Sequence, residues 1–158
     1  MSEKTRQLLL YLLKNNPGSS VTSLMKLAYL ADLISTKRQE KQISNFEYRR
    51  HHYGPFDKKI YQYIDSLTED KIIKAESDFS LTGEEFSVFS INPEVEDKVV
   101  FDKLGSKEIK ILDDLLGSVR GYGAKMLTEI AYQTKPMQKL KATIGGTEHL
   151  GERLNLSV

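Results

Sequence analysis

Aromatic, arginine and histidine residues are concentrated in one stretch of the chain, from position 46 to position 56, which reads FEYRRHHYGPF. The stretch holds four aromatic residues, two arginines and two histidines, a composition unlike the rest of the sequence. Imidazole rings bind metals and transfer protons, whereas tyrosine and arginine side chains are enriched where proteins bind one another. This stretch is therefore the first place to look for a functional site.

The histidines do not match a metal or catalytic site. His51, His52 and His149 are the only three, and adjacent residues on a strand point to opposite faces. The chain has no cysteine and no HExxH sequence, so the common zinc ligand sets are missing. It also has no GxSxG turn, and Gly121-Tyr122-Gly123 lacks the lysine of a phosphate-binding loop. We predict no catalytic residue, no metal and no cofactor, and hence a binding protein rather than an enzyme.

Strand geometry predicts which side chains of the stretch face outward. If residues 46–53 form a strand, Arg49, His51 and Tyr53 share one face, and the alternate residues share the other. One interpretation is an exposed polar and aromatic ridge that binds a partner. The other is structural: aromatic residues pack inward, Gly54 supplies a tight bend and Pro55 fixes φ ahead of the next helix, close to its favoured first-turn position.

The rest of the pattern indicates a mostly helical α+β single domain. Apolar periodicity predicts helices at about 3–15, 21–33, 57–67, 106–119 and 124–133. Besides the short strand near 46–53, two apolar runs within 70–91 predict a small hairpin. We place the domain at residues 1–140. The segment 141–158 has no periodicity and is expected to be a C-terminal tail of uncertain order.

Charge and hydropathy limit the partners. With 23 basic and 22 acidic residues the net charge is +1, so there is no global field to hold a polyanion. Nine basic residues between positions 37 and 59 form a local patch, which is either a binding site or a solvated face. No apolar run approaches the roughly 20 residues of a membrane span, and no signal peptide pattern follows Met1. We expect a cytoplasmic protein with no membrane partner.

Two separated blocks of the sequence resemble one family. The first contains Lys26-Leu27-Ala28-Tyr29-Leu30-Ala31-Asp32, then Ile43-Ser44 with Phe46, then the Tyr53-Gly54-Pro55 turn before a helix. The second begins at Leu127-Thr128-Glu129 and ends at Pro136-Met137; Tyr132 stands where the family commonly has a histidine, and Met137 where it has a tryptophan. Together the blocks resemble the Panacea domain of SocA-like antitoxins, which includes phage-associated GepA-type proteins.

The resemblance implies an antitoxin, a protein that binds and neutralises a toxin encoded beside it, without catalysis. In one branch of the family the antitoxin is an adaptor that delivers the toxin to an ATP-dependent protease. The simplest mechanism is masking of the toxin by Arg49, His51 and Tyr53, with Tyr29 and Asp32 either supporting them or held in the core. Asp32 lies on an apolar helix and needs a partner, which is Arg49, Arg50 or a hydrogen bond at a helix end.

The order of the predicted elements also fits a winged helix, a DNA-binding architecture. In that alternative Lys58 and Lys59 begin the recognition helix, Arg49 and Arg50 contact phosphates, and the hairpin near 77–85 is the wing. The hairpin carries four acidic residues, which would repel a phosphate backbone: Glu76, Asp78, Glu84 and Glu85. The two functions are compatible, because an antitoxin can repress its own operon by binding operator DNA.

Overall fold

A computed structural model describes residues 1–158 as six α-helices, five strands and one turn of 3-10 helix (Glu96–Lys98). The helices are α1 (Glu3–Asn15), α2 (Val21–Gln39), α3 (Lys59–Glu69), α4 (Ser106–Ser118), α5 (Ala124–Tyr132) and α6 (Lys135–Lys139). The strands are β1 (Ser19–Ser20), β2 (Arg49–His51), β3 (Gly54–Phe56), β4 (Ile73–Phe79) and β5 (Glu85–Ile91). The predicted α+β, mostly helical fold is confirmed.

Helix α2 is the centre of the domain, and α1, α4 and α5 pack around it. Twelve of its residues are buried, in agreement with apolar side chains on nearly all sides. Ser20 caps its N-terminus, since the hydroxyl accepts a hydrogen bond from the backbone N–H of Ser23. At the other end α2 continues to Gln39, through polar residues whose sequence predicts a loop or a frayed helix end.

The predicted hairpin near 70–91 is confirmed as the antiparallel pair β4 and β5. Strand β1 adds to the other edge of β5, which makes a three-stranded sheet of order β1-β5-β4. Near the base, Ile73 faces Ile91 and both side chains are buried. Beyond them β4 is exposed along its length, so the tip of the hairpin extends away from the core.

The strand predicted near 46–53 is shorter and belongs to a second hairpin. Strand β2 pairs with β3, and Arg50 lies opposite Pro55. Pro55 is therefore a strand residue and not an early residue of the following helix, which begins at Lys59. The missing N–H of a proline is tolerated at a sheet edge, which explains how β3 accommodates Pro55.

The segment 141–158 lies along the free edge of β2. Leu154 N–H donates to Tyr48 O at 2.9 Å, and Arg50 N–H donates to Glu152 O at 2.8 Å. Leu154 and Leu156 are buried in the core. These residues therefore pack on the domain. None of the helices is long and apolar enough to span a membrane.

Candidate functional site

The β2–β3 hairpin sorts the side chains of the FEYRRHHYGPF stretch between inside and outside. Phe46, Tyr48 and Arg50, which strand alternation assigns to one face, are buried, whereas His52 on the same predicted face is exposed. Arg49 and His51 are exposed on β2, and Tyr53, in the turn, is 63% exposed. The three side chains predicted to form a ridge are thus on the surface.

Arg50 connects this hairpin to the tail. Its guanidinium donates to the backbone oxygens of Thr143 at 2.8 Å, Glu148 at 3.1 Å and Gly146 at 3.3 Å, and also to that of His51. The side chain is completely buried, and no carboxylate lies within ion-pair distance of it. Backbone carbonyls therefore satisfy this cation, and its fixed fork of donors suits several acceptors at once.

Tyr132, at the C-terminal end of α5, completes the same network. Its hydroxyl accepts a hydrogen bond from Arg50 at 2.8 Å and donates one to His52 O at 2.8 Å. Met137, the second position that departs from the family pattern, is completely buried in the core. Tyr132 therefore holds the turn of the hairpin against α5, and Met137 packs in the hydrophobic core.

Asp32 is the centre of a second network, and neither arginine is its partner. Its carboxylate accepts hydrogen bonds from Ile43 N–H at 2.7 Å, Ser44 N–H at 3.0 Å, Ser44 Oγ at 2.5 Å and Tyr48 Oη at 2.6 Å. The predicted pairing of Asp32 with Arg49 or Arg50 is wrong. Backbone N–H and hydroxyl donors between positions 43 and 48 occupy both oxygens of the carboxylate. Burial raises the pKa of Asp32, and the hydrogen bonds from Ser44 and Tyr48 oppose that shift.

Tyr29 is also in the core, beside Tyr48. The two rings meet edge to face with centroids 5.2 Å apart, and Tyr29 Oη forms a 2.7 Å hydrogen bond with Thr134 Oγ1. Burial raises the pKa of Tyr29 to about 12. Tyr29 and Asp32 are therefore both in the core. From there they contact Tyr48, which precedes β2.

Gly54 allows the hairpin to approach α2 closely. Its φ is +111°, a conformation that side chains rarely adopt, and a Cβ there would lie 3.0 Å from Lys26 Cε. Lys26 Nζ in turn donates to Pro55 O at 3.1 Å. In the motif Tyr53-Gly54-Pro55, the tyrosine is thus exposed, while the backbone of Pro55 is fixed by its hydrogen bond from the buried Lys26.

His51 lies beside the contact between Gly54 and Lys26. Its ring lies 5.3 Å from that of Phe56, between centroids. Partial burial lowers the pKa of His51, and the positive charges of Lys26, His52 and Arg50 lower it further. His51 is therefore neutral near pH 7, and its ring is an aromatic and hydrogen-bonding surface in place of a charge.

Sequence reasoning missed the supporting residues of this site. The sequence signal for Lys26 is a lysine on an otherwise apolar helix, which indicates a specific role. No sequence pattern indicates the contacts of Arg50 with the tail, because its acceptors are backbone oxygens, which every residue has. No group of three or more histidine, cysteine and acidic residues is placed to hold a metal ion.

The hairpin thus exposes Arg49, His51 and Tyr53, and buried networks hold it from behind. The family described as antitoxin SocA-like, Panacea domain, matches residues 24–136. Because this match covers well over half of the chain, the protein belongs to the SocA-like Panacea family of antitoxins. Neither the curated proteins nor the solved structures gave a match.

Proposed function

We propose that this protein neutralises a cognate toxin by direct binding, and that Arg49, His51 and Tyr53 are the centre of the interface. The observation that carries the proposal is the exposure of these three side chains on a hairpin whose inner side is immobilised by buried residues. Tyrosine and arginine are the residue types that most often carry binding energy at interfaces. We therefore propose a non-catalytic protein that acts in the cytoplasm.

Rigidity supports the proposal. Arg50 and Tyr132 hold one side of the hairpin, and Asp57 holds the other by accepting hydrogen bonds from Glu47 N–H at 2.8 Å and Lys59 N–H at 2.9 Å. A preorganised surface loses little conformational entropy on binding, which improves affinity. A stable interface buries about 1,200–2,000 Å² in total, so neighbouring exposed residues such as Tyr61 would also be covered.

Coexpression with the neighbouring gene tests the proposal. We expect the wild-type protein to restore growth and to copurify with the neighbouring product, and the triple variant Arg49→Ala, His51→Ala, Tyr53→Ala to do neither. The matched control replaces exposed residues elsewhere, Arg120→Ala with Met126→Ala, and should behave as wild type. A neighbouring product that is harmless and never copurifies would contradict the proposal.

The same experiment separates masking from delivery to an ATP-dependent protease. Masking leaves the toxin level unchanged and yields a stoichiometric complex. An adaptor instead lowers the toxin level in cells that contain the protease and leaves it unchanged in cells that lack it. Quantitative immunoblotting of tagged toxin in both strains distinguishes the two, and we propose masking because it requires one surface only.

DNA binding is a second candidate, and the strand order β1-β5-β4 favours it, since this is the topology of a winged helix. Two observations weigh against it. Arg50, expected to contact phosphates, is buried, so that expectation is wrong, and the hairpin tip exposes Glu76, Asp78, Glu84 and Glu85. The test is a gel shift on the protein's own promoter: binding should be salt-sensitive and weakened by Arg49→Ala or Lys58→Ala. No shift at low salt would reject the regulator role.

A further inference from the structure

A cavity of about 330 Å³ lies beside the proposed interface, between the start of α2, the β2–β3 hairpin and α3. Lys26 from α2, His51, His52 and Tyr53 from the hairpin and Tyr61 from α3 contribute to its lining. Tyr53 and Tyr61 are exposed, so the cavity communicates with the surface that we assign to partner binding. Its size suits a side chain or a small ion.

Lys26 is a buried cation without a counter-charge. The residue is only 2% exposed, and no carboxylate lies within 4.0 Å of its ammonium group. Of its three N–H donors, one is directed to Pro55 O, and the ammonium group also lies 5.9 Å from the centroid of the Phe56 ring. Buried charges in proteins are normally paired, so an unpaired lysine at a cavity is an incomplete site. Burial lowers the pKa of Lys26 to about 8, which leaves it mostly charged at neutral pH.

Basic side chains surround Lys26, although His51 itself is neutral near pH 7. His51 and His52 come from the hairpin, and Arg50 lies behind them; the charges of Lys26, His52 and Arg50 all lower the pKa of His51. Asp57 is the one acidic group that acts in the opposite direction on His51, and its oxygens already accept hydrogen bonds from two backbone N–H groups. Tyr61 on α3 contributes an aromatic ring, and burial raises the pKa of Tyr132 on α5.

We propose that this cavity accepts an anionic oxygen group, and that in the complex the group is a carboxylate side chain of the protein partner paired with Lys26. The carboxylate source rests on the proposed function, whereas the anion site does not. A carboxylate would use the donors of Lys26 that do not bond to Pro55 O, and the rings of His51 and His52 line the same cavity. The aromatic ring of Tyr61 would cover its aliphatic stem.

The anion site is tested on the free protein by NMR, with inorganic phosphate and acetate as the probes at constant ionic strength. We expect saturable shifts of the Lys26 Cε and His51 ring signals, a rise in the pKa of Lys26, and no such change at the exposed control Lys125. A stronger response to acetate indicates a carboxylate site, and a stronger response to phosphate indicates a phosphate site. Absence of any change, or an equal change at Lys125, would overturn the inference.

The carboxylate source is tested on the complex with the neighbouring gene product. Pairing with a carboxylate raises the pKa of Lys26, so raising the pH from about 7.5 to about 9.5 should weaken binding about tenfold. Lys26→Met should bind more weakly, without this pH dependence. Thr22→Phe, which narrows the cavity without changing Lys26, should also weaken binding and keeps the test informative if Lys26→Met unfolds.

The outcomes separate this inference from the proposed function. A complex whose affinity is the same at both pH values and in both variants overturns the carboxylate pairing while the antitoxin function stands. Failure to form any complex contradicts the proposed function and the carboxylate source together. In that case a positive anion titration still supports the anion site, since it uses the free protein alone.

Discussion

Arg50 and Tyr132 are 82 residues apart in the sequence and meet at the turn of the β2–β3 hairpin. Arg50 Nη1 donates to Tyr132 Oη at 2.8 Å, and the guanidinium carbon lies 5.5 Å from the centroid of the tyrosine ring. The pair joins three parts of the chain, because the same guanidinium also donates to backbone oxygens of the tail. The exposed residues of the hairpin therefore depend on contacts made behind them.

Replacing Arg50 by lysine should release the tail. Lysine keeps the charge but cannot reproduce the fork of donors, so Arg50→Lys should reduce the free energy of unfolding by about 2–3 kcal/mol. Urea unfolding measures the loss. Hydrogen exchange should also accelerate at the amides of Gly145 and Gly151, which donate to the hairpin. The control, Arg49→Lys, alters an exposed side chain with one backbone contact and should change stability by less than about 0.5 kcal/mol. Equal effects at both positions would contradict the assigned role of Arg50.

Replacing Asp32 by alanine should be among the most damaging single changes. It leaves the two backbone N–H groups of Ile43 and Ser44 and the hydroxyls of Ser44 and Tyr48 without their acceptor. We expect the free energy of unfolding to fall by at least about 3 kcal/mol, since each unsatisfied buried donor costs about 1–3 kcal/mol. Thermal unfolding compared with the exposed control Asp65→Ala checks this. A loss no greater than that of the control would show that water replaces the carboxylate.

Replacing Gly54 by alanine should strain the hairpin. The added Cβ meets Lys26 Cε at 3.0 Å, and the φ of +111° disfavours any side chain, so we expect a loss of about 1–3 kcal/mol. Gly117→Ala is the matched control, because Gly117 lies inside α4 with open space around its Cβ position. That change should stabilise the protein by up to about 1 kcal/mol. The prediction fails if the two substitutions shift the unfolding midpoint in the same direction.

The buried lysine predicts an unusual dependence of stability on pH. The pKa of Lys26 is about 8 in the folded protein and 10.5 in the unfolded chain, so the unfolded chain holds the proton more tightly between these values. Stability should therefore rise with pH across that window, by about 2 kcal/mol between about pH 7.5 and 9.5. Urea unfolding at the two pH values measures the rise. In Lys26→Met the difference should vanish, and a wild-type protein with no rise would show that Lys26 is not desolvated.

Local signals in the sequence predict most of the fold. The leucine spacing of residues 3–15 and the apolar periodicity of α4 and α5 predict those helices to within a residue or two at each end. The hairpin of β4 and β5 follows from the two apolar runs within 70–91 and the turn between them. Strand β1 and helix α6 were not predicted, because elements of two and five residues are too short for a period to appear.

The sequence predicts features of the candidate site that depend on neighbouring residues. It does not predict contacts between residues that are far apart in the chain. Strand alternation separates Arg49 and His51 from Arg50, but only the structure shows that the first two are exposed and that Arg50 is buried. The partners of Asp32 and Arg50 could not be predicted, since a buried charge is satisfied by whichever donors or acceptors the fold brings close. For Asp32 these were a nearby loop, and for Arg50 they were carbonyl groups about a hundred residues away.

The tail that lies along β2 has a consequence for biosynthesis. Residues 143–154 are synthesised after the other segments that contact the hairpin. They must close a loop of about a hundred residues before the Arg50 guanidinium gains its backbone acceptors. Until then the edge of β2 is unpaired, and an unpaired strand edge is prone to aggregation. A chain that lacks this segment would therefore carry Arg49 and His51 on a hairpin whose outer edge is unpaired.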